Sequence, residues 1–337
     1  MLNISTAAAN DAIYTEIVLG NKVAKGVANF IAPIVNVDTV TGKVFVMNDD
    51  AFVAPDNIYR AEGSNYEYYT PTLGTRTYTL AQEARAWSVP DRLDRVARTH
   101  AAKFDLRKQA IHVTMQRMEN AWERRIATDI TDPAKYEASN SLDLGLTPAN
   151  QWDSPVADVE NQIHQASVII QRQTGLRPNK LLLSVDAYTA LITNSRIRDF
   201  LPRGTMIAEE SLASLFRLDE VKIADQPLIL TGGSTPSNTK EYLYQNNAVL
   251  FYSPSKTTSN SFIPADHANR AEPAFAYQYI LKGFPVASKQ LYNELNDTWF
   301  GKIKIERSFE LIGLGDNGLL SAGFLFQNCK GNSLTTI

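Results

Sequence analysis

The chain has 337 residues, 44% of them hydrophobic and 20% charged, with a formal net charge of −3. That length allows two or three units, each with a core of its own. That charge balance gives no sign of an electrostatic grip on nucleic acid or an anionic membrane. No apolar run reaches the 18 residues of a membrane span, and a single cysteine, Cys329, excludes an intramolecular disulfide and suits a reducing compartment.

The first residues, MLNISTAAANDAIYTEIV, lack the basic start and apolar core of a signal peptide, so a soluble product made in the cytoplasm is expected. Residues 1–43 read as an N-terminal arm whose apolar part, 24–37, contains Pro33 and is extended or a short helix. Residues 44–88 carry short alternating pieces punctuated by Pro55, Gly63, Pro71 and Gly74, and over 64–80 only Glu67 and Arg76 are charged. This is tyrosine-rich hairpin material with too few apolar side chains for a core. It is expected to project onto another subunit.

Pro90 sits at a helix start. Leu93, Ala97, Ala101, Phe104, Ile111, Met115, Met118, Trp122 and Ile126 recur at steps of three and four, apart from Lys108, which predicts one rod over 91–129, ~60 Å long at about 1.5 Å per residue. Nine basic and five acidic residues between Asp91 and Arg125 cover the rest of its surface. Asp132-Pro133 ends the rod, and residues 139–153 read as a polar linker closing a unit over 89–153.

Residues 154–288 alternate helix and strand. Val156, Val159, Ile163, Ala166 and Ile170 form a helical stripe stopped at Gly175. The run Leu181, Leu182, Leu183 is a buried strand, and Ser184 caps the helix after it, with Asp186 in its first turn. Residues 207–216 predict another helix, with Ala208, Leu212 and Leu215 inward, and 219–225 a short strand. In the last piece, 289–337, Ile303, Ile305, Phe309 and Leu311 share one face, with Arg307 the exception, and Leu320, Ala322, Phe324 and Phe326 alternate on the return. A long two-stranded ribbon is expected, covered by the rod.

Chemistry is sparse. GLGDNG (313–318) matches a dinucleotide-binding pattern by letter, but no helix pattern or acidic residue follows at the required distance, so it reads as a turn. His100, His112, His164 and His267 have no ligand spacing with one another or with Cys329. Ser184 lacks the flanking glycines of a nucleophile elbow, and no phosphate loop is present. No catalytic, cofactor or metal site is expected.

The ordered set of pieces resembles the major capsid proteins of tailed bacteriophages over essentially the whole chain. LDRVARTHAAKFDLRKQAIHVTMQRMENAWE resembles their spine helix. SPVADVENQIHQASVIIQRQTGLRPNKLLLSVDAYTALITNSRIRDFL resembles their axial domain, and EESLASLFRLDEVKIAD and AVLFYSPS its later phrases. The resemblance implies an α+β fold with an N-terminal arm, an extended β-hairpin loop, a peripheral domain with a spine helix and long strands, and an α/β axial domain. It implies pentamers and hexamers of this chain forming an icosahedral shell around double-stranded DNA, in a virion assembled in the host cytoplasm. Scaffolding protein, portal and a decoration or cement protein are the implied partners, with only non-specific DNA contact and no membrane. Candidates for contacts between subunits are Tyr66, Tyr68, Tyr69, Arg76 and Tyr78 on the loop and Arg95, Arg98 and Arg107 on the rod.

Some members of the family carry a cleaved N-terminal scaffolding segment; its absence here implies a separate scaffold or a trimmed chain. Others cross-link the loop through a lysine. Residues 44–90 contain none, and Lys43 lies at the loop's base, so no such cross-link is expected. An encapsulin-like nanocompartment shell is the alternative within this architecture, and an α/β hydrolase or transferase the alternative outside it.

Overall fold

The computed structural model describes residues 26–47, 68, 73–100, 105–200, 207–228, 241–254, 274–315 and 318–331. In chain order the elements are α1 (Ala28–Ile31), β1 (Ile34–Val37), β2 (Thr41–Met47), β3 (Leu73–Thr79), β4 (Ala81–Pro90), α2 (Asp91–His100), α3 (Leu106–Ile130) and β5 (Ser141–Asp143). There follow α4 (Val159–Thr174), β6 (Lys180–Ser184), α5 (Val185–Thr193), α6 (Ser195–Phe200), α7 (Glu209–Phe216), β7 (Glu220–Ala224), β8 (Pro227–Leu228), β9 (Glu241–Tyr242) and β10 (Ala248–Phe251). The last are β11 (Ala276–Leu281), β12 (Val286–Ala287), β13 (Leu291–Asn293), β14 (Thr298–Leu311) and β15 (Gly323–Gln327).

The strand β14 organises the first sheet. On one edge β4 pairs with it antiparallel from Thr298↔Pro90 to Arg307↔Ala81. On the other edge lie β13, β12 and β11 in turn, and β1 adds to β11 in parallel. Its period-two pattern works as expected: Ile303, Ile305, Arg307 and Phe309 all point inward. The helix α3 covers that face, with Ile111, Met115 and Met118 packed against Trp87, Val89, Ile303 and Ile305. Each such side chain contributes roughly 1.5–3 kcal/mol by burial.

Arg307, the one charged residue on the inward face, is 4% exposed. Its guanidinium donates to Glu83 (2.9 and 3.0 Å) and to both oxygens of Glu119 (3.0 and 3.1 Å), and lies 4.3 Å from the Trp122 ring centroid. Trp122 Nε1 in turn donates to Gln278 on β11 (2.8 Å). The exception in the apolar stripe is therefore the tie between strand, neighbouring strand and helix.

The second sheet runs β5-β15-β10-β6-β7. The helices α4, α5 and α7 bury Ile163, Ile170, Leu191 and Leu212 on one face of it, against Leu181, Leu183 and Leu250. The other face, with Leu182, Val249, Phe251 and Leu325, packs on α1 and on Trp122, Ile126 and Ile130 of α3. Gly175 closes α4 at φ 70°, where only a residue without Cβ sits free of strain. Ser184 is wholly buried and accepts the Ala187 N–H at 3.1 Å, as a helix cap does.

Five expectations are corrected. The rod is two helices: α3 starts afresh at Leu106, with Asp105 accepting the Lys108 N–H at 3.1 Å, and residues 101–104 lie outside the described residues. The 81–88 part of the projecting loop is strand β4, because its edge is taken by β14. The 139–153 linker is part of the second sheet: β5 pairs with β15, Trp152 is buried, and Asn140 donates to the Ser321 and Gly323 carbonyls at 3.0 Å. The terminal ribbon does not form, since β14 and β15 belong to different sheets. Gly313 lies at the crossing between them; a Cβ there would sit 2.3 Å from that of Ala322. For α7 the inward set is Leu212, Ala213 and Phe216, with Leu215 half-buried and Ala208 the exposed cap position.

Residues 26–32, the end of the expected arm, are core. Phe30 and Ile31 are buried, and Glu123 of α3, 4% exposed, accepts the Ala28 N–H (2.8 Å) and the Tyr244 hydroxyl (3.3 Å). Burial pushes the Glu123 carboxyl above its ordinary 4.5, and Glu119 adds to the rise, against the lowering by those two donors and Arg307. The folded chain thus holds this proton more tightly than the unfolded chain. Its contribution to stability is full below the unfolded value and is lost as pH rises through the folded one. Glu123→Gln keeps an acceptor for Ala28 and removes that dependence. The variant should be at least as stable as the parent at neutral pH and less pH-sensitive, measured by urea unfolding at about pH 5 and about pH 8. An unchanged pH slope would locate the effect elsewhere.

Candidate subunit interface

The segment NELNDT (293–298) joins β13 to β14 in a tight, polar-tied turn. Asn293 Oδ1 accepts the Leu295 N–H at 3.0 Å, Tyr292 Oη donates to Asp297 Oδ1 at 2.7 Å, and Asp297 takes φ 49°, which aspartate tolerates better than most residues. Leu295 at its tip is 96% exposed. The turn is anchored behind that tip. The Asp297 carbonyl accepts the Asp91 N–H (2.8 Å), Trp299 Nε1 donates to Asp91 Oδ1 (3.0 Å), and the Tyr292 and Trp299 rings sit 5.0 Å apart.

Arg107, at the start of α3, reaches across the elbow. Its guanidinium donates to Asp94 Oδ2 (2.6 and 2.8 Å) and to Gln290 (3.3 Å), and stacks 3.9 Å from the Trp299 centroid. Asp94 is 1% exposed. The helix α2 is therefore turned inside out relative to its expected stripe. It buries an aspartate, because the part-buried Arg107 guanidinium awaits it, and leaves Leu93 and Val96 half in solvent. With Leu291, Tyr292 and Leu295 they place five exposed apolar side chains at one end of the first sheet, on rigidly held backbone. Scattered apolar residues need no explanation, but several on one hydrogen-bonded support make this end of the sheet a candidate contact surface.

The expected contact residues divide. Tyr66 and Tyr69 lie outside the described residues, and Tyr68 is 89% exposed. Arg76 is on β3 and Arg98 on α2, with their side chains outside the described set. Tyr78 is buried in its own subunit, stacked 4.6 Å from Tyr279. Arg107 is engaged with Asp94 as above. Arg95 is exposed and pairs with Asp91 at 2.8 Å, an i,i+4 surface pair of little energetic weight. The residues missed were Leu93, as a surface residue, and Tyr292 and Leu295. The visible signal for the latter two was Asn-Glu-Leu-Asn-Asp between two aromatic positions.

Among the described residues no three His, Cys, Asp or Glu gather as metal ligands, and no described helix is long and apolar enough to cross a membrane. The Ser184 hydroxyl is spent on its cap, and Cys329 is fully buried with its thiol pushed up by desolvation. The strand β15, not a helix, follows the GLGDNG segment.

No protein-family model and no curated protein matches the chain. Solved structures do. A phage-related protein from Bordetella bronchiseptica superposes with a TM-score of 0.72 at 20% identity, covering 98% of this chain and 100% of that one. The capsid of Staphylococcus phage Andhra gives 0.52 at 11% identity over 92% and 86% of the two chains. An encapsulin complex from Synechococcus elongatus gives 0.50 at 11% over 98% and 99%. The chain has the mixed helix-and-sheet fold of the phage capsid proteins, as the sequence resemblance implied.

Proposed function

We propose that the chain is the major shell subunit of a tailed-phage head. Copies join as pentamers and hexamers into a closed icosahedral container for double-stranded DNA. The observation that carries the reading is the end-to-end likeness to a phage-related protein, supported by further likeness to a phage capsid. The local structure fits it: the described residues offer outward an apolar surface at one end of the first sheet and an exposed Tyr68. In a closed assembly each contact can be modest, because every subunit makes several at once. Scaffold, portal and cement proteins, and a virion location, belong to the same proposal, as does the assignment of the 44–88 loop to a neighbouring subunit.

Likeness to an encapsulin over nearly the whole chain keeps a cargo-enclosing shell as the second reading. Electron microscopy of purified particles separates the two. Large DNA-filled heads support the first, small protein-filled cages the second, and a soluble small oligomer at high concentration sinks both. The same particles should run as one band near 37.4 kDa on a denaturing gel. A ladder of covalent multimers would contradict the absence of lysine from residues 44–90 as the deciding feature.

A further inference from the structure

A cavity of about 230 Å³ opens beside α4 and the end of α7, on the helical side of the second sheet. Buried Ile163, Phe216 and Ser167 contribute to its wall. His164 on α4, Arg177 in the loop before β6 and Arg217 just after α7 also line it. All three are exposed. Among the described residues neither guanidinium has an ion-pair partner. Glu160 is the only carboxylate in the lining, so two guanidiniums against one carboxylate leave the cavity net positive.

Arg217 adds a second observation. Its backbone sits at φ 57°, ψ 45°, the left-handed position that closes a helix and favours glycine. A residue held there against local preference, with its side chain on a cavity, fits strain kept for a binding role. Guanidinium forks match the spaced oxygens of a tetrahedral oxyanion, and an imidazole offers a further donor.

We propose that this cavity binds a phosphate group through Arg177, Arg217 and His164. The assignment stands on the single subunit and does not depend on the shell reading. The phosphate is either free or part of a nucleic-acid backbone, two sources with the same chemistry.

The test uses the full-length protein and inorganic phosphate, titrated by calorimetry and by thermal unfolding against chloride at constant ionic strength. Saturable binding and a saturable rise in Tm are expected. Arg177→Ala and Arg217→Gly should each weaken binding about ten-fold, the loss of one charge-assisted contact. Arg172→Ala, an exposed α4 arginine outside the cavity lining, should bind like the parent. Glycine suits the backbone at 217, so that variant should melt no lower than the parent without phosphate, which separates lost binding from lost folding. General salting-in or salting-out by phosphate acts on all variants alike. A non-saturating response, or the same response in the Arg177→Ala/Arg217→Gly double variant, overturns the site. A short DNA duplex that competes with phosphate in the parent identifies the backbone source; phosphate binding without competition identifies free phosphate.

Discussion

Replacing Arg307 by methionine should lower the stability of the folded subunit by about 3–5 kcal/mol. Methionine fills most of the volume, so the cost is electrostatic. Glu83 and Glu119 are only 27% and 20% exposed, and would face one another across an apolar site with nothing to neutralise them. The Trp122 ring would also lose the cation 4.3 Å from its centre. Arg307→Lys should recover only part of the loss, since one ammonium cannot serve two carboxylates and a ring as a planar fork does. The triple variant Glu83→Gln/Glu119→Gln/Arg307→Met should regain most of it, because the charges that made the single change costly are gone. Equilibrium urea unfolding reads all three. A loss below about 1 kcal/mol in Arg307→Met would mean that the pair behaves as an ordinary surface bridge and that the tie is not structural.

The second large effect is on association. Leu93→Asp combined with Leu295→Asp should leave the Tm of the isolated subunit within a few degrees of the parent, since neither side chain is buried in its own chain. Assembly should fail. Burying a leucine contributes roughly 1.5–3 kcal/mol, and placing a carboxylate there reverses the sign of the contact. At about 1.4 kcal/mol per factor of ten, each contact would weaken by one to two orders of magnitude. Every subunit carries the change, so a shell held by repeated contacts loses far more than one. Sedimentation or negative-stain imaging of the purified variant provides the readout. Normal particles from the double variant would remove this end of the sheet from the interface. Melting well below the parent would show instead that Leu93 and Leu295 support the fold.

Much of this molecule was legible in its residues. The Leu181–Leu183 run, the Ser184 cap and the Gly175 stop were readable because they rest on local rules: burial of a short apolar run, a hydroxyl meeting a free N–H, and backbone that only glycine adopts freely. So was the alternation of β14, and its cover by the apolar stripe of α3 from Ile111 to Met118, set by periods of two and 3.6. The resemblance that pointed to the fold was equally plain in the order of the residues.

Other features were decided only when distant segments met. Nothing local distinguishes a β14–β15 hairpin from two strands that part at Gly313 into different sheets; the choice falls to edges offered by β4, β11, β10 and β5, far away in the chain. Nothing local says that Leu93 faces out. That follows from Arg107 and Trp299 receiving Asp94 and Asp91, which fixes the rotation of α2 regardless of its own apolar stripe. Arg307 looked like a flaw in a pattern until Glu83, Glu119 and Trp122 closed around it. Local propensities and periods act over a few residues and are written in them. Strand partners join residues up to 244 positions apart and buried ion pairs up to 224, and both exist only once the chain has closed on itself.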